Sequence, residues 1–144
     1  MSKDKCQMKE NGEKAENVGT FKAKRFDLEE RTVKFGEAVI EFLVGVKRNA
    51  VTSPLISQVV RSATSIGANY CEADQAGSRK EFKYRVSICG REARETKYWL
   101  RMLAKAVPDA KETARSLWQE ADELTRIFAT IHRNTKDEKE KRKE

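Results

Sequence analysis

The chain has 144 residues, of which 37% are charged and 38% hydrophobic, and its 30 basic and 23 acidic side chains leave a net charge of +7. That length can bury the core of one domain, and so charged a mixture suits long amphipathic helices with solvated outer faces. No apolar run reaches the roughly 18 residues of a membrane span. The opening Met-Ser-Lys-Asp-Lys-Cys-Gln-Met has no apolar signal core, so a cytoplasmic location without membrane contact is expected.

Residues 1–25 are rich in Lys, Glu, Asn and Gly and read as a disordered tail. Structure is expected from residue 26, with a first helix over about 27–48. Asp27 and Glu30 have capping-box spacing, and Leu28, Phe35, Val39, Phe42 and Val46 recur on one face. Pro54 suits the first position of a second helix, over about 54–74, with Ser53 or Thr52 as its cap.

At about 100° per residue, Gln58, Arg61, Ser65, Asn69 and Glu72 share an arc of that helix about 80° wide. Ile56, Val59, Ala63, Ile66 and Tyr70 lie opposite. Small residues beside the polar stripe, Ser62, Ser65 and Ala68, admit another backbone closely. Gln75-Ala-Gly77 ends the helix, and Ser78 with Glu81 forms a second capping box.

The third helix, about 78–107, carries two apolar sides. Phe82, Val86, Cys89, Ala93, Leu100, Leu103 and Val107 make one. Tyr84, Ile88, Trp99 and Met102, with Tyr98 at their edge, make the other. Burial on two sides predicts one face in its own bundle and one against another subunit. Between them runs a basic band of Lys83, Arg94, Lys97, Arg101 and Lys105. This helix holds 9 basic and 3 acidic residues, whereas the other three each come to −1. A solvated face would mix signs to gain i,i+4 pairs. A one-sign band is the footprint of a phosphate-binding surface, RNA or DNA, and gives contact without sequence readout.

Pro108 interrupts the pattern, and a fourth helix over about 109–133 buries Leu117, Ala121, Leu124, Phe128 and Ile131. Residues 134–144 are a charged Lys/Glu tail. The expected fold is therefore all-α, an antiparallel up-down-up-down four-helix bundle over 26–133.

Chemistry is sparse. The single histidine, His132, has no nucleophile paired to it by spacing, no glycine-rich phosphate loop is present, and the Glu-x-x-His of di-iron bundles is missing. Cys6, Cys71 and Cys89 have no CxxC spacing and read as structural thiols rather than metal ligands or a disulfide. No catalytic residue, metal or cofactor is expected, and the chain reads as a non-enzyme. The polar stripe then reads as an assembly seam of Gln58, Arg61, Ser65, Asn69 and Glu72. Glu95 pairs either with Arg61 or with Arg91. Tyr84, Ile88, Tyr98, Trp99 and Met102 read as an oligomer interface rather than a base-stacking platform. A scaffold for a protein partner, its charge serving solubility, is the competing reading.

The segment Gln58-Val-Val-Arg61-Ser-Ala-Thr-Ser65-Ile-Gly-Ala-Asn69-Tyr-Cys-Glu72-Ala resembles the signature of the bacterial four helix bundle protein family, also called the 23S ribosomal RNA intervening-sequence protein family. Ser78-Arg-Lys-Glu-Phe82 and Arg91-Glu-Ala-Arg-Glu95-Thr-Lys-Tyr-Trp99-Leu resemble its next segment. The similarity spans about residues 26–132, with glycine at position 67 where many members carry proline. It implies a four-helix protomer in a ring-shaped homopentamer. The accessory protein of diversity-generating retroelements has a similar fold, as a basic pentamer that binds nucleic acid and a reverse transcriptase. An operon-encoded protein is therefore a further expected partner.

Overall fold

The computed structural model describes residues 20–136 and 142–143, with side chains from Leu28 onward. Most of each expected tail lies outside these residues. Among the described residues four α-helices follow in order: α1 Thr20–Val44, α2 Thr52–Asp74, α3 Arg79–Ala106 and α4 Lys111–Asn134. A 3-10 turn, Pro108–Ala110, joins the last two. Among the described residues there is no strand. The chain divides into two compact units, Met1–Arg31 and Thr32–Glu144. The described part of the first is the opening of α1, and the packing below is that of the second.

Two helix starts differ from expectation. α1 begins at Thr20 rather than Asp27, so residues 20–25 are helical and Asp27 is no cap. Thr-Phe-Lys-Ala-Lys-Arg contains no Gly or Pro, and its straight-chain residues extend a helix readily. α2 begins at Thr52, and neither Ser53 nor Thr52 acts as a conventional N-cap. Asn49 takes that role: its Oδ1 accepts from the amides of Val51 and Thr52, each at 2.9 Å. Thr52 Oγ1 returns the favour, accepting from the Asn49 amide at 2.9 Å and donating to the Lys47 carbonyl at 2.8 Å. This ties down the α1–α2 connection, and Thr52 is buried. The Ser78 cap is as expected: Ser78 Oγ accepts from the Glu81 amide at 3.1 Å, and Glu81 Oε2 accepts from the Gly77 amide.

The core follows the four apolar stripes. Val39, Val59, Ala63, Ile66, Val86, Cys89, Ala93, Leu100, Leu103, Ala121, Leu124 and Phe128 are fully buried. Phe82, Val107 and Ile131, at the ends of their stripes, are only half-buried, as is Phe42, whose expected place is taken by Leu43. α3 packs along both α2 and α4. Rising positions on α2 meet falling ones on α3: Ser62 with Thr96, Ile66 with Cys89, Asn69 with Arg85. The same crossing sense joins α3 to α4 through Lys97 with Asp122 and Gly90 with Phe128. α1 meets α2 at small residues. A methyl group on Gly67 would stand 3.3 Å from Thr32 Oγ1, and one on Gly36 would stand 3.9 Å from Thr64. The Tyr70 and Phe128 rings, 5.9 Å apart and tilted, join α2 to α4 across the middle.

Candidate functional site

The helical repeat of α3 places Arg94, Arg101 and Lys105 on one exposed side, and none of the three forms an ion pair with another described residue. Lys83, on the same band, is half-buried. Lys97 is differently placed. Its ammonium donates to Asp122 Oδ1 at 2.9 Å and lies 5.3 Å from the centroid of the Trp118 ring, so it joins α3 to α4. Asp122 also pairs with Arg126 at 3.0 Å. The Lys97 hydrogen bond, with the nearby positive charges, holds the Asp122 carboxyl below its ordinary range. A carboxylate 25 residues along the chain, on the neighbouring helix, is invisible to the spacing of α3, and it turns one cation of the band inward.

Tertiary packing supplies cations that the α3 pattern does not contain. Pro108 ends α3 and turns the chain so that the first two turns of α4 lie beside the last turns of α3. Between them is a groove of about 660 Å³. Arg101 and Lys105 border it from α3, Lys111 and Arg115 from α4. Its apolar surface comes from Leu100, Ala104, Pro108 and Ala114, and Trp118 and Gln119 also line it. Among the described residues no carboxylate lines it, and none of the four cations forms an ion pair there. The i,i+4 pair Lys111 and Arg115 is visible in the sequence, but the slightly acidic balance of the fourth helix conceals it.

The polar stripe of α2 forms a lattice with α3. Arg61 hydrogen-bonds to Gln58 Oε1 at 3.2 Å, to Glu92 at 3.4 Å and to Glu95. Glu95 therefore meets Arg61 rather than Arg91, and it also accepts from Trp99 Nε1 at 3.1 Å. Partial burial pushes the Glu92 carboxyl up, with Glu95 adding to the effect and Arg61 opposing it. Asn69 donates to the Ser65 carbonyl at 2.8 Å and accepts from Arg85 at 3.3 Å. Beneath the stripe, Thr96 and Ser62 are buried and hydrogen-bonded to each other at 2.9 Å. Ser65 bonds back to the Arg61 carbonyl, while Glu72 stands exposed at the end of the stripe. Arg61 itself has 47% of its side chain in solvent, so the seam lies at the surface of the helix pair.

On the second apolar side of α3, Tyr84 and Tyr98 are 56% and 55% exposed, and Ile88, Trp99 and Met102 are half-buried. Tyr98 and Trp99 stack edge-on at 4.9 Å. Val33, Ile40 and Val44 add a further exposed apolar stripe on α1. Cys71 is exposed and Cys89 buried; burial pushes the Cys89 thiol up to about 12. Among the described residues no three His, Cys, Asp or Glu side chains gather as a metal site would require. No described helix is long and apolar enough to cross a membrane.

The sequence profile described as 23S rRNA-intervening sequence protein matches residues 24–130. The crystal structure of a protein of unknown function from the S23 ribosomal protein family of Bacteroides thetaiotaomicron is similar to this chain. It has 32% sequence identity and a TM-score of 0.64, and the match covers 72% of this chain and 96% of that one. No curated protein matches.

Proposed function

The chain belongs to the 23S rRNA-intervening sequence protein family, and from that premise we propose a non-enzymatic homo-oligomer that binds nucleic acid in the cytoplasm through cations of α3. The observation that carries this reading is the exposed row Arg94, Arg101 and Lys105, which no described carboxylate neutralises. Exposed cations without acidic partners have no ion pair to break before they meet a phosphate, and they displace condensed counterions from a phosphate backbone. Such contacts position a strand without reading its bases.

The crossing pairs between α1, α2, α3 and α4 support an up-down-up-down bundle. The half-exposed aromatic side of α3 supports self-association, and the family resemblance favours a pentameric ring. The same aromatic side supports the second reading, a scaffold that docks an operon-encoded protein.

Fluorescence anisotropy with a labelled oligonucleotide across a salt series tests the main reading. Affinity should fall steeply with salt. Neutralising Arg94→Gln, Arg101→Gln and Lys105→Gln should lower the slope of log K against log salt by about 0.7–0.9 per lost contact. An affinity and slope indifferent to all three changes would refute the assignment.

A further inference from the structure

The α3–α4 groove has more than a phosphate contact requires. A phosphate contact needs only an exposed cation, and Arg94 already offers that. Here four cations surround a concave apolar surface that includes an indole, with no carboxylate among the lining residues. Charge complementarity selects a polyanion, and the indole selects a polyanion with a flat apolar face. A volume of about 660 Å³ lies within the roughly 300–1,000 Å³ of pockets that hold small organic groups. In a duplex the base faces are stacked inside and cannot reach such a wall, whereas unpaired bases stack on aromatic side chains.

We propose that this groove is a subsite for one unpaired nucleotide of a single-stranded polynucleotide, its base against Trp118 and its flanking phosphates on Arg101, Lys105, Lys111 and Arg115. The inference rests on the nucleic-acid reading above and adds to it α4, an aromatic contact and a preference for single strands. Trp118 is held ready for this. Lys97 lies over its ring and is itself anchored by Asp122. The clamp reduces the side-chain freedom that binding would otherwise have to remove. Lys97, which spends its charge on that clamp, supports the ring and does not line the groove.

The test uses the full chain carrying Trp99→Phe, which leaves Trp118 as its sole tryptophan. A single-stranded oligonucleotide, in RNA and DNA forms, its duplex, and an abasic strand of equal charge are titrated while tryptophan emission is followed. Both single strands should quench Trp118. The duplex and the abasic strand should bind more weakly and quench little. Read by the anisotropy of a labelled single strand, since these variants lack the reporting indole, Trp118→Leu should weaken binding on the order of tenfold, the loss of one stacked base, and Trp118→Phe should restore most of it. The exposed pair Lys111→Glu and Arg115→Glu, whose folding circular dichroism confirms, should lower affinity for single strands without touching the core.

Equal binding of single strand, duplex and abasic strand, with no quenching and no effect of Trp118→Leu, would overturn the subsite and leave the α3 reading standing. Absence of binding by every probe would overturn both. Stronger quenching by poly-glutamate than by the oligonucleotides would overturn the subsite in favour of an acidic polypeptide. A protein-concentration-dependent change in Trp118 emission without ligand would overturn it in favour of a second copy of this chain.

Discussion

Arg61 illustrates how a residue singled out by its spacing is given its partners only by the fold. Its spacing within α2 shows a polar stripe but not which acids answer it. The structure gives it both Glu92 and Glu95. Removing the guanidinium leaves two like charges near each other, and with half of the side chain in solvent the penalty is screened. Arg61→Met should therefore cost about 1 kcal/mol in urea denaturation, with Glu95→Gln recovering part of it.

The two perturbed acids make opposite predictions. Glu92, raised from 4.5, contributes stability present below that value and lost as pH rises through its folded pKa. Glu92→Gln should thus gain on wild type at neutral pH, with the gap closing in acid. Asp122, lowered from 3.8, contributes stability above that value that is lost as pH falls through its folded pKa. Asp122→Asn should lose stability at neutral pH and converge with wild type in acid. Denaturation midpoints from about pH 2 to 7 read both. A third residue sets the scale of the core: Phe128→Ala, at the meeting of α2, α3 and α4, should cost about 3–5 kcal/mol.

At the scale of the helices, two glycines of similar sequence context should answer oppositely to the same change. Gly90 in α3 would place a methyl 3.7 Å from the Phe128 side chain, an ordinary contact, so Gly90→Ala should stabilise by up to about 1 kcal/mol through helix propensity. Gly67 in α2 would place one at 3.3 Å from the buried Thr32. Gly67→Ala should bring no gain or a net loss, and Thr32→Ala in the same chain should relieve part of that. Thermal midpoints of the variants decide between the signs.

The four helices and their inward stripes were legible because burial on one face imposes a period that sequence displays directly. The α2 core of Ile56, Val59, Ala63, Ile66 and Tyr70 needs nothing else. Ends were less legible. Asn49 caps α2 by a local loop geometry that competes with the more familiar Ser53–Pro54 pattern, and α1 extends back because no residue stops it before Thr20. The candidate site was half legible. The basic band lies along one helix and can be counted. The partner of Lys97, and the union of Arg101 and Lys105 with Lys111 and Arg115, depend on which turns of two helices are brought together around Pro108.

For the whole molecule, the exposed Tyr84 and Tyr98 and the apolar stripe of α1 are the surfaces most costly to leave in water. If α3 is an interface, sedimentation equilibrium should give a multiple of the 16.5 kDa chain. Tyr84→Glu with Tyr98→Glu should shift that mass toward the protomer while leaving the helical signal unchanged. A protomer mass for the unaltered protein would reject self-association.

The position of α3 between α2 and α4 also bears on how the chain comes into being on the ribosome. Synthesis delivers α1, α2 and α3 before the stretch that covers the far side of α3. Until Lys111–Asn134 emerges, Leu100 and Leu103 lack the α4 side chains that later enclose them, while the α2–α3 lattice around Arg61 can already close. The exit tunnel still holds α3 when Pro108 is added, so this apolar flank is open only from the emergence of α3 until α4 follows it, and that is the window in which a chaperone can hold the chain.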